Sequence, residues 1–64
     1  MQIFMERTQE KLDKSFSGLA KDLLLSLSIG TEEVLIIRNG QLVTEDEELV
    51  DSDDIKLLSV ISGG

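Results

Sequence analysis

Cysteine and histidine are both absent from this 64-residue chain. Without cysteine there is no disulfide scaffold and no thiolate nucleophile. Without histidine there is no imidazole ligand for a metal and no Ser-His or Cys-His pair. No apolar run approaches the roughly 20 residues that a membrane-spanning helix needs. No basic-then-apolar leader opens the chain, because Glu6 and Arg7 interrupt it early. Cytoplasmic residence is the expectation. A chain of this size buries only about 60% of its unfolded surface, so one compact core is expected.

Basic residues are scarce where acids are dense. Residues 1–30 carry four bases and four acids, whereas residues 31–64 carry nine acids against Arg38 and Lys56, which accounts for the net charge of −7. Phosphate backbones are held by clustered Lys and Arg, so nucleic acid is not an expected partner. A partner with a basic surface is, since opposite fields speed encounter; plain solubility is the alternative.

Apolar spacing sets the expected elements. Met1 to Glu6 reads as a strand with Met1, Ile3 and Met5 on one face, and Arg7-Thr8-Gln9 as a turn. A weaker strand runs from Glu10 to Phe16. Ser17 is placed to cap a helix of about two and a half turns carrying Leu19, Ala20, Leu23, Leu24 and Leu27, with Leu25 off that stripe and Gly30 as a left-handed end. Val34 to Arg38 and Gln41 to Val43 flank Asn39-Gly40, the strongest short hairpin signal. The acidic stretch from Thr44 to Asp54 is expected to hold a helical turn around Glu47 to Val50, and a last strand runs from Ile55 to Ile61. The order is β-β-α-β-β-β, an α+β domain over residues 1–61 with a flexible tail at 62–64.

Both faces of that sheet carry apolar residues. In a two-residue hairpin Ile36 meets Val43 on one face and Ile37 meets Leu42 on the other; the last strand splits Ile55, Leu57 and Ile61 from Leu58 and Val60. One helix covers one face. The second is left for loops, for a dimer contact or for a docking partner.

The chemistry concentrates at the end. Ser62-Gly63-Gly64 follows an apolar strand, and glycine without a Cβ threads a narrow cleft and lies close to a nucleotide phosphate. The terminal carboxylate is the candidate reactive group. Elsewhere the signals are bland. Seven acids between Glu45 and Asp54 fail the calcium-loop template, since Ile55 and Lys56 fall where a ligand and the bend glycine belong. An exposed acidic run also lacks the pocket that acid–base catalysis requires. Lys11, Lys14, Lys21 and Lys56 are read as ordinary surface lysines rather than conjugation sites.

Val34-Leu35-Ile36-Ile37-Arg38-Asn39-Gly40, the acidic connection, Asp51-Ser52-Asp53-Asp54-Ile55 and Leu57-Leu58-Ser59-Val60-Ile61-Ser62-Gly63-Gly64 together resemble the ThiS/MoaD group of sulfur carriers. The N-terminal half matches only in element order. The resemblance implies a ubiquitin-like β-grasp fold, with the helix across one face of a mixed sheet of about five strands. It also implies that a ubiquitin-activating-type adenylyltransferase, using its own ATP and Mg²⁺, adenylates Gly64, and that sulfur then replaces AMP. Gly63 and Ser62 would provide clearance, while Leu58, Val60 and Arg38 would meet the partner. A sulfur-accepting synthase or sulfurtransferase would follow, in thiamine, molybdopterin or transfer-RNA thiolation chemistry. The chain would be a monomeric carrier rather than an enzyme, with no cofactor of its own. A ubiquitin-like modifier joined to lysines through Gly64 and a non-covalent β-grasp binding module are the alternatives. Two positions depart from the group: Ser52 stands where Asp-Gly-Asp has glycine, and Arg38 where an apolar residue is usual.

Overall fold

The computed structural model describes residues 1–60. β1 (Gln2–Met5) and β2 (Glu10–Asp13) form the first hairpin, and β3 (Gly18–Leu19) leads into α1 (Ala20–Ser26). β4 (Val34–Arg38) and β5 (Gln41–Val43) form the second hairpin; β6 (Glu48–Leu49) and β7 (Asp54–Ser59) complete the order. The main sheet runs β2-β1-β7-β4-β5, with β1 and β7 parallel and the other neighbours antiparallel. This is the expected β-grasp, with the last strand in the middle of the sheet.

The second hairpin takes the expected register, Ile36 opposite Val43 and Ile37 opposite Leu42. Asn39 (φ 51°) and Gly40 (φ 84°) both lie in the left-handed region that a two-residue turn matching the twist of its strands requires. On the inner face Ile3, Ile36, Ile55 and Leu57 pack against Ala20, Leu23 and Leu24 of α1, with Met1 and Leu49 closing the ends of the core. Leu25, off the apolar stripe, is 76% exposed.

Several local expectations are corrected. β2 ends at Asp13 rather than Phe16. Phe16 leaves the strand to pack against the core, and its amide donates to Asp51 Oδ1 at 2.9 Å. Ser17 does not cap the helix: Leu19 holds the N-cap position and offers no side-chain bond. The first helical amides are satisfied by backbone instead, Ala20 N–H donating to the Glu47 carbonyl and Lys21 N–H to the Glu45 carbonyl, each at 2.8 Å. The acidic connection therefore holds a two-residue strand, β6 paired antiparallel with β3, where a helical turn was expected. Its Leu49 is fully buried.

The helix is seven residues long and closes at Ser28 (φ 60°), not at Gly30. Ile29 N–H donates to the Leu24 carbonyl at 2.9 Å and Ser28 N–H to the Leu25 carbonyl at 3.0 Å, the paired bonds of a Schellman end, with Ile29 packed on the core. The turn from Val50 to Asp53 closes through Asp53 N–H to the Val50 carbonyl at 2.9 Å, and Ser52 has no positive φ, so serine sits there without strain.

Candidate tail root and docking face

The outer face of the sheet is open. Phe4 of β1, Leu35 and Ile37 of β4, Leu42 of β5 and Leu58 of β7 alternate with the core residues of the same strands, and no described residue of this face is buried. Leu35 pairs across strands with Leu58, and Ile37 with both Leu42 and Lys56, so the apolar side chains form one band. Leu42 is 64% exposed and Val60 44%, while Leu58 is half-buried. Toward β1 a cavity of about 400 Å³ opens between Phe4, Lys11, Asp54 and Lys56. Loop cover, one of the three fates open to this face, does not occur among the described residues.

Arg38 does not join Leu58 and Val60. It has the parity of Ile36, and its side chain runs to the opposite side, where Nε donates to Asp53 Oδ2 at 2.8 Å and Nη1 to Glu47 Oε2 at 3.1 Å. The charge that was expected to meet the partner is engaged by this chain's own carboxylates. Asp53, 5% exposed, is the hub: Oδ1 also accepts from the Asn39 amide at 3.0 Å and Oδ2 from Val50 N–H at 2.9 Å. The Val50 amide, before Asn39 and Arg38, holds the Asp53 carboxyl below its ordinary value against the opposing cost of burial. Asp51 is lowered as well, first by the Phe16 amide and then by the Met1 ammonium 3.3 Å away. These acids tie turns together. Among the described residues, no group of three or more acids gathers as a metal site.

β7 runs parallel to β1, so it ends beside the β1–β2 turn and, across β4, beside the loop that leaves the helix. Ser59 N–H donates to Glu6 Oε1 at 3.3 Å, and Val60 N–H to the Glu33 carbonyl at 3.0 Å. Arg7 Nη1 lies 3.9 Å from Glu33 Oε1. A cleft of about 360 Å³ opens alongside, between Met5, Leu27, Ile29, Val34 and Leu57. Ser62, Gly63 and Gly64, the expected reactive tail, lie outside the described residues. Glu6 carries no local sequence signal, because it meets a partner 53 positions away. The apolar band was more accessible to sequence reasoning, since strand alternation alone pairs Ile37 with Leu42 away from Ile36, although Leu35, the cross-strand partner of Leu58, was not singled out.

No helix among the described residues is long and apolar enough to cross a membrane. The fold is similar to the solution structure of a thiamine biosynthesis protein from Geobacter metallireducens, at a TM-score of 0.60 and 22% sequence identity over 100% of this chain and 88% of that one. The ThiS family model matches residues 3–64, nearly the whole sequence. The chain belongs to the ThiS family, small sulfur carriers rather than catalysts.

Proposed function

We propose that the chain carries sulfur on Gly64 as a thiocarboxylate. An α-carboxyl ionises near about pH 3.5 and at neutral pH is a poor electrophile. Attack of its oxygen on the α-phosphorus of ATP, held with Mg²⁺ by an activating enzyme, releases pyrophosphate and leaves an acyl adenylate. A sulfur donor then displaces AMP, so the acyl carbon exchanges one oxygen for sulfur. The thiocarboxylate sulfur is a good nucleophile for an acceptor synthase building a thiazole or dithiolene, or for transfer-RNA thiolation. This chain supplies the acyl carbon and a surface to hold; nucleotide and catalytic groups belong to the partner.

The observation that supports this reading is that the open apolar band includes the strand that the tail follows in sequence. Leu58 and Val60 face outward at the end of β7, and only four residues separate Val60 from the Gly64 carboxylate. Fully extended, they reach at most about 14 Å. A partner seated on the band therefore has the carboxylate within reach of a neighbouring nucleotide pocket, in the cytoplasm where ATP is supplied.

Intact mass spectrometry after incubation with the cognate activating enzyme, ATP and a sulfide source tests it. The expected result is a mass gain equal to the difference between sulfur and oxygen, lost when Gly63 and Gly64 are deleted. A ladder of isopeptide adducts would establish a protein modifier instead. Full function of the deleted chain would establish a non-covalent binding module.

A further inference from the structure

We infer that Glu6 and Glu33 form a collar that sets where the tail leaves the body and in which direction, making them positioning residues for activation at Gly64. The inference rests on the sulfur-carrier reading above. β7 ends its ladder at Ser59, opposite Val34, and among the described residues the Ser59 and Val60 amides are both held by this collar. The Glu6 carboxylate takes the Ser59 amide while the Glu6 amide donates to the Leu57 carbonyl at 3.0 Å, so one residue holds the β1-facing edge of the strand at two points. Glu33 contributes its carbonyl to the Val60 amide, and its own side chain holds that carbonyl in place. Gly30 N–H donates to Glu33 Oε2 at 2.8 Å, and Glu33 N–H donates to the Gly30 carbonyl at 3.0 Å, a reciprocal lock on the turn.

Gly30 is a glycine because of this lock. A Cβ there would stand 2.6 Å from Glu33 Oε2 and 2.8 Å from Glu32 Oε1. Both oxygens end flexible side chains, so Gly30→Ala displaces the carboxylate without disturbing the core. The collar thus has two independent handles, the carboxylates themselves and the glycine that lets one of them close.

Positioning matters because the reacting group is so near the root. With the collar intact, four residues follow the last anchored amide. Freeing Ser59 and Val60 lengthens that segment by two residues, which dilutes the terminus about twofold by the −3/2 power of length. Loss of a set exit direction lowers the rate further, since reacting groups must meet within a narrow range of orientation.

The experiment measures pyrophosphate release by the cognate activating enzyme against carrier concentration for the wild type, Glu6→Ala, Glu33→Ala, Gly30→Ala, Glu6→Gln and Glu33→Gln. Hydrogen exchange of the Ser59 and Val60 amides is followed in the same proteins. The alanine variants are expected to lose about two- to tenfold in kcat with KM within twofold of wild type; Glu6→Ala is expected to exchange the Ser59 amide faster, and Glu33→Ala and Gly30→Ala the Val60 amide. The glutamine variants, which keep an acceptor oxygen, are expected to behave as wild type. Wild-type kcat in the alanine variants, or a KM rise shared by the alanine and glutamine variants, overturns the collar. If the wild type itself releases no pyrophosphate, the sulfur-carrier reading falls, and exchange still decides the collar: an unchanged Ser59 rate in Glu6→Ala together with an unchanged Val60 rate in Glu33→Ala and Gly30→Ala refutes it.

Discussion

Leu42→Ala measures what the open face contributes to docking. The substitution removes three carbons, and at about 0.8 kcal/mol each their complete burial is worth about 2.4 kcal/mol. Leu42 is 64% exposed in the free protein. A partner that covers it therefore gains about 1.5 kcal/mol, roughly tenfold in Kd, and the remaining contacts cost the fold about 0.9 kcal/mol. Leu25 supplies the control, because at 76% exposed it offers still more apolar surface but stands on the helix, across the molecule from the band. Isothermal titration of each variant into the cognate activating enzyme, alongside urea unfolding, gives both quantities. Leu42→Ala should weaken binding about tenfold while Leu25→Ala leaves it unchanged. Equal effects of the two variants, or none from Leu42→Ala, would refute the placement of the interface.

Gly40→Ala should lower stability by about 1 kcal/mol in urea unfolding, since φ 84° strains any side chain although nothing stands within 4 Å of the new methyl. Leu49→Ala should cost about 2–5 kcal/mol in the same measurement, because it leaves a hole where β6 closes the core. Acid titration followed by circular dichroism should show stability held above pH 4 and lost below it. Asp51 and Asp53 are both lowered from 3.8, so their contribution is complete above that value and disappears as pH falls through the folded-state values. Asp53→Asn should flatten that acid limb while leaving the neutral-pH fold recognisable by its spectrum; an unchanged limb would mean that other carboxylates carry it.

The sheet was legible because its signals are local and strict. Asn39-Gly40 demands positive φ twice, and once that turn is set the pairing of Ile36 with Val43 follows from counting. The outward set of Leu58 and Val60 came from alternation in the same way. What escaped notice depends on partners far along the chain. The helix start is capped by carbonyls of Glu45 and Glu47, which removes the need for a Ser17 cap and forces the acidic segment into an extended pairing. Arg38 broke an apolar pattern and so looked available to a partner; only the fold brings Asp53 to it across the next turn. Gly30 was read as a helix end because glycine favours left-handed backbone, whereas Ser28 takes that conformation and Gly30 makes room for a carboxylate.

The parallel pairing of β1 with β7 has a consequence for how the molecule comes into being. β1 waits for β7, since the strand that fills the centre of the sheet is made only from Asp54 onward. Until it emerges, the two hairpins have no common neighbour and the inner leucines no sheet to lie on. Contacts between the ends of a chain form slowly compared with local ones. A fragment cut short before Asp54 therefore lacks the strand that joins the two hairpins, and on the proposed reading activation at Gly64 would reach only bodies that have already closed.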